Sequence, residues 1–72
     1  MKIVVEEGME FQARWGGSSF IAKKYDYYGN GDPVLCAVTD KLILPLGEIA
    51  LNSYIPKVNG MWICDENLEY VY

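Results

Sequence analysis

Histidine is absent from this 72-residue chain, and with it go the commonest general base near neutral pH and the commonest metal ligand. Arginine occurs once, at Arg14, which leaves few bidentate donors for a phosphate or carboxylate ligand. The two cysteines, Cys36 and Cys64, fall short of the four ligands of a structural zinc site. No apolar run approaches the roughly 18 residues of a membrane span. The start of the chain carries no charged segment followed by an apolar one, so no secretory signal is read there and the cytoplasm is the expected location. There both cysteines are expected as reduced, buried thiols rather than a disulfide. A Walker loop and a dinucleotide-binding glycine fingerprint are both missing. Together these absences exclude the usual routes to catalysis; a non-enzyme without cofactor or metal is expected.

What is present is apolar and aromatic. Half of the residues are hydrophobic (51%), 14% are aromatic and 22% are charged, a balance that favours a folded core over disorder. The length allows one domain, residues 1–72, because so short a chain buries only about 60% of its unfolded surface. Ten acidic against six basic side chains give a net charge of −4. That charge repels a phosphate backbone and an anionic membrane and favours a protein partner with a basic surface. So much ring surface on so small a domain predicts aromatics exposed at an interface, including that of a homo-dimer or small homo-oligomer.

Turn chemistry divides the chain into short strands. Met9, Phe11, Ala13 and Trp15 alternate with Glu10, Gln12 and Arg14, a period of two that predicts a half-buried strand. Gly16 to Ser19 reverses the chain into a second strand over Phe20–Tyr28, and Gly29-Asn30-Gly31-Asp32-Pro33 reverses it again. Val34–Val38 reads as a strand covered on both faces. After Thr39-Asp40-Lys41, Pro45 confines the run Leu42–Leu46 to an edge, a bulge or a strand end. Gly47–Tyr54 fits a helical turn or a continued strand, with strand slightly preferred. Asn59-Gly60 predicts a type I′ hairpin between strands near Tyr54–Val58 and Met61–Cys64. Asp65-Glu66-Asn67 leads into Leu68–Tyr72, and Lys2–Glu6 opens the chain. The expectation is an all-β domain of about five to six strands, with at most one short helical turn. Its architecture is expected to be an antiparallel meander curled into a small SH3-like or OB-like barrel. No helix is available for a crossover, so a parallel sheet is not expected.

Several constellations invite a chemical reading. Ser18 and Ser19 lie in a glycine turn with no base in an identifiable relation to them. Glu6-Glu7 and Asp65-Glu66 are adjacent pairs, which on a strand point to opposite faces and read as a solvated acidic rim. Asp26 to Asp32 superficially matches the start of a calcium loop. Its third position, however, is Tyr28 and its twelfth is Ala37, where oxygen ligands are required. Lys23-Lys24 beside Tyr25, Tyr27 and Tyr28 mixes cations with stacking rings, but two lysines interrupted by Asp26 make a short patch for a nucleic acid. Lys24-Tyr25-Asp26-Tyr27 resembles the tyrosine-rich opening motif of SH3 domains, and Ser53-Tyr54-Ile55-Pro56 is similar to their groove-forming stretch. That resemblance implies an aromatic groove of Tyr25, Tyr27, Pro56 and Trp62 for polyproline ligands. It departs from the family pattern in placing Trp62 after the second motif and in the short spacing between the two.

Elimination leaves binding. The first expectation is an acidic protein-binding inhibitor or adaptor of the phage or mobile-element type, for example an anti-defence inhibitor, that occludes a surface of a larger partner. The candidate contact residues are Trp62, Tyr70, Trp15 and Tyr27 as aromatic anchors, with Asp65, Glu66 and Glu69, seconded by Glu6, Glu7 and Glu10, supplying charge. The second is sequestration of a small ligand such as a nucleotide between subunits, with Trp15, Tyr27 or Trp62 stacking on a base. Amides around Gly16-Gly17 or Gly29–Gly31 would then hold phosphate. The third is a small structural subunit of a virion or other assembly, paired through exposed strand edges.

Overall fold

A computed structural model describes all of residues 1–72. It contains eight strands: β1 (Lys2–Val4), β2 (Glu10–Ala13), β3 (Ser19–Tyr25), β4 (Val34–Val38), β5 (Ile43–Pro45), β6 (Tyr54–Val58), β7 (Met61–Trp62) and β8 (Glu69–Val71). The fold is all-β. Six strands form one antiparallel sheet in the order β5-β4-β3-β2-β6-β7, and β1 and β8 form a separate parallel pair. The expected meander is found in β2 to β5, joined by the turns that glycine and threonine chemistry marks. At Thr39 the hydroxyl oxygen accepts from the N–H groups of Lys41 (3.2 Å) and Leu42 (3.1 Å), which fixes the β4–β5 reversal. Asn59 (φ 51°) and Gly60 (φ 80°) both take positive φ, as a type I′ turn between β6 and β7 requires.

Four expectations are corrected. Gly47–Tyr54 is not a continued strand: two 3-10 turns, Leu46–Glu48 and Leu51–Ser53, nearer to the helical-turn alternative, carry the chain from β5 to β6, which begins at Tyr54. Each turns one leucine, Leu46 or Leu51, into the core, so burial here follows from compact turns and not from a period of two. A parallel pair exists, because the whole domain lies between β1 and β8 and no crossover helix is needed. The sheet is not closed by hydrogen bonds into a barrel; β5 and β7 are its two edges and share no ladder. Trp15, predicted to continue the inward stripe, lies beyond the end of β2, where Gly16 N–H donates to the Ala13 carbonyl (3.0 Å) and turns the chain.

The core sits between the large sheet and the β1–β8 ribbon. Phe11 and Phe20, opposite each other in register, stack with centroids 4.8 Å apart. Tyr54 meets Phe20 edge-on at 5.0 Å, and Tyr70 from β8 leans on Phe11 at 5.9 Å. Val5, Ala22, Ala37, Leu46 and Leu51 complete the cluster. The Tyr70 hydroxyl donates to the Tyr54 carbonyl (2.9 Å), which couples the two layers by a polar contact as well as by packing. Adjacent residues Cys36 and Ala37 are both buried, so β4 is covered on both faces there, as its unbroken apolar run predicts. Pro45 closes β5 at the sheet edge, in keeping with its missing donor.

Candidate protein-binding face

Register places side chains in rows across the sheet, and one row on the face away from the core runs through all six strands. Trp62 stands opposite Lys57, Glu10 opposite Ile21, Ile21 opposite Val38, and Val38 opposite Ile43. Between β6 and β2 the row is continued by an ion pair, with Lys57 Nζ 3.7 Å from Glu10 Oε2. The same ammonium lies 5.6 Å from the Trp62 ring centroid, within range of a cation–π contact. Lys57 thus lies between a carboxylate and an indole, in contact with both.

The composition of this row is unusual for a solvated face. Alternation should give polar residues there, yet Ile21, Ile43 and Trp62 are exposed and Val38 is half-buried. A recess of about 370 Å³ joins Trp62 to Ile21 and Val38, with the carboxylates of Glu10 and Asp40 at its margins. The recess is mixed, since Gln12, Ser19 and Thr39 line it too; exposed apolar side chains beside carboxylates can meet an apolar side chain of a partner while attracting basic groups around it.

A second recess, about 440 Å³, is lined by Arg14, Trp15, Asn52, Ile55, Cys64 and Glu66. Arg14 builds its floor: Nε donates to the Asn52 carbonyl (2.8 Å) and Nη2 to the Asp65 carbonyl (2.9 Å). The single arginine therefore ties the segment after β7 to the β5–β6 connection and is committed to backbone groups. Asp65 caps its own turn, accepting from the Asn67 N–H (2.8 Å). Trp15 stands almost free, 85% exposed.

The candidates read from sequence thus fall into five places. Trp15, Asp65 and Glu66 come together at the Arg14 recess, and Trp62 lies on the apolar row. Tyr70 is half-buried, with its ring on Phe11 and its hydroxyl engaged, so it serves the core; burial pushes its phenol above the ordinary tyrosine range, a shift that the Arg14 charge opposes. Glu69 is exposed on β8, in the other layer. Tyr27 lies in the β3–β4 loop, edge-on to Tyr28 at 5.3 Å, and Tyr28 donates to Glu48 (2.8 Å). That hydrogen bond to a carboxylate raises the Tyr28 phenol above its usual value. Sequence reasoning missed Ile21, Val38 and Ile43. Each reads as an ordinary strand residue, and only the register shows that they are neighbours on one open face.

Other motifs are accounted for by local geometry. The Asp26 carboxylate accepts from the N–H groups of Asn30 (3.0 Å) and Gly31 (3.2 Å), so the glycine nest at Gly29–Gly31 is filled by the chain's own carboxylate. Pro56 is fully buried and cannot line the polyproline groove implied by the SH3 resemblance. Cys36 is buried, which pushes its thiol above the ordinary range, but Cys64 is exposed and the two are unpaired, correcting the expectation of two buried thiols. No family model matches the chain, and no curated protein or solved structure matches it.

Proposed function

We propose that this is a non-catalytic protein-binding domain, an acidic inhibitor or adaptor of the phage or mobile-element type that covers a basic, partly apolar surface of a larger protein. The observation that carries this reading is the cross-sheet row from Trp62 to Ile43, in which Trp62, Ile21, Val38 and Ile43 stand where solvation calls for polar residues, with the Lys57–Glu10 pair between them. Trp62 is the proposed anchor, in contact with Lys57. Trp15, Asp65 and Glu66 supply a second contact around the Arg14 recess. Net charge supports the choice of a basic partner, since opposite charge speeds encounter and makes it salt-dependent.

Two observations weigh against the other readings. The Gly29–Gly31 amides that could hold a phosphate are taken by the Asp26 carboxylate and carbonyl, and the Gly16 amide of the other nest by the Ala13 carbonyl, which disfavours a sequestered nucleotide. The sheet edges are short, three residues in β5 and two in β7, and β5 ends in proline, which is how proteins suppress edge pairing rather than invite it. The test is capture of partners by the tagged chain, read by native mass spectrometry beside the Trp62→Ala and Ile21→Glu variants. A stoichiometric protein lost with either variant and weakened by salt supports the reading. Capture indifferent to both variants, or a nucleotide-sized mass on the chain alone, overturns it.

A further inference from the structure

Asn30-Gly31 and Asn59-Gly60 are the places where an asparagine is followed by glycine, and that pair is chemically labile. The backbone nitrogen of the glycine can attack the asparagine side-chain carbonyl, since no Cβ on the second residue hinders the approach. Both pairs are exposed and identical in sequence, so their surroundings decide which one reacts. Asn52 and Asn67 precede Ser53 and Leu68, whose side chains obstruct the attack.

At Asn30 both reacting groups are engaged. The Gly31 N–H donates to the Asp26 carboxylate (3.2 Å to each oxygen), and the Asn30 side-chain carbonyl accepts from the Asp32 N–H (3.0 Å). Asp26 also holds the N–H groups of Asn30 and Gly29. Bringing the Gly31 nitrogen onto Asn30 Cγ breaks hydrogen bonds to a charged group, the costlier kind to lose. Asn59 is the opposite case. It lies at the tip of the β6–β7 turn, where neither its side chain nor the Gly60 N–H has a hydrogen-bond partner in the chain. Apart from chain neighbours, no atom lies within 4 Å of where a Gly60 Cβ would stand. Ring closure rotates Asn59 out of its left-handed conformation (φ 51°). What opposes that rotation is β7, two residues long, exposed and at the sheet edge, a kind of element that opens readily.

We propose that Asn59-Gly60 is a self-modification site whose conversion releases β7 and the Trp62 end of the outer row. The Gly60 nitrogen, giving up its proton, bonds to Asn59 Cγ while the Cγ–Nδ2 bond breaks, and ammonia leaves with that proton. Water then opens the resulting succinimide. Opening at Cγ gives aspartate; opening at the backbone carbonyl gives isoaspartate, in which the main chain runs through Cγ. The net change is an amide and water converted to a carboxylic acid and ammonia, with no oxidation or reduction. Isoaspartate inserts an extra backbone atom into the turn. The register that sets Val58 opposite Met61 and Lys57 opposite Trp62 depends on the length of that turn, so the indole leaves Lys57. The chemistry of this site does not depend on the partner-binding reading.

Peptide mapping by mass spectrometry of the full chain, held in mildly alkaline buffer and sampled over days, tests the proposal. Trypsin cuts after Lys41 and Lys57 and so separates Asn30 from Asn59, and an isoaspartate methyltransferase marks the isoaspartyl product. Asn59 is expected to convert at least about tenfold faster than Asn30, the factor set by one hydrogen bond to a charged group. The two rates should converge in guanidinium. Asp26→Ala should speed Asn30 by a similar factor and leave Asn59 unchanged, with far-UV circular dichroism showing that the variant is folded. Hydrogen exchange at Met61–Ile63 should quicken in the isoaspartyl chain. Asn59→Asp, which adds the charge without the extra backbone atom, should leave it slow. Equal rates at Asn30 and Asn59 in the folded chain overturn the site, as does an Asn59 that resists over a period in which guanidinium exposes it to conversion. Unchanged exchange at Met61–Ile63 after conversion overturns the release of β7, and neither result touches the partner reading.

Discussion

Replacing Phe11 with alanine tests whether the two layers are held by one aromatic core. Only 12 of the 72 residues are buried, and Phe11 is 0% exposed, stacked on Phe20 and touched by Tyr70 from the ribbon. Truncating a buried phenylalanine costs about 3–5 kcal/mol, from lost transfer energy plus the cavity left behind. At about 0.05–0.15 kcal/mol per residue, a domain of this length is stable by about 4–11 kcal/mol in all, so Phe11→Ala should remove a large share and leave the chain marginally folded. Part of the loss is the ring pair itself, about 0.5–1.5 kcal/mol. Phe11→Ala and Phe20→Ala combined should therefore cost less than the sum of the two alone. Urea denaturation followed by far-UV circular dichroism is the suitable assay, because both tryptophans are exposed and report weakly on unfolding. A loss of about 0.5 kcal/mol or less, the range of ordinary surface changes, would refute the packing described for these rings.

The two cysteines should react in separate phases. Cys64 should label with a disulfide reagent in the native state and Cys36 only on unfolding, since one is exposed and the other buried with a raised thiol; equal rates would contradict this. Gly60→Ala should destabilise by about 1–2 kcal/mol through its left-handed backbone alone, because its φ is +80° and nothing lies within 4 Å of the added methyl; thermal or urea unfolding checks the figure. Alkaline pH should weaken the fold. Tyr70 is raised chiefly by burial, so its neutral form is favoured when folded. The stability this contributes is full below the ordinary phenol value of about 10 and is lost as pH rises through the higher folded value. Urea midpoints across that window should fall, and Tyr70→Phe should flatten the fall.

Much of the fold was legible because its signals are local. Val34–Val38, the Thr39 reversal, the Asn59-Gly60 turn and the strand around Phe11 each depend on a few neighbouring residues whose backbone preferences and side-chain period are written in order along the chain. Gly47–Tyr54 misled because apolar residues at Ile49, Ala50 and Leu51 suit a strand or a helical turn equally, and only the tertiary burial of Leu46 and Leu51 shows the compact turns. The candidate site was legible in part. Trp15, Trp62 and the Asp65–Glu66 turn stand out by residue type, but type does not say that Tyr70 is turned inward onto Phe11.

By itself the sequence determined a single all-β domain with an acidic, aromatic-rich surface, because composition, alternation and turn chemistry act over a few residues. Tertiary structure alone decided that β6 returns to lie against β2, that the strands nearest the two ends of the sequence pair in parallel, that Cys64 is left outside, and that Trp62, Lys57, Glu10, Ile21, Val38 and Ile43 share one row. Those pairings join residues far apart in the chain. Register between such strands is set by how both faces pack at once, a property that no short stretch of residues holds.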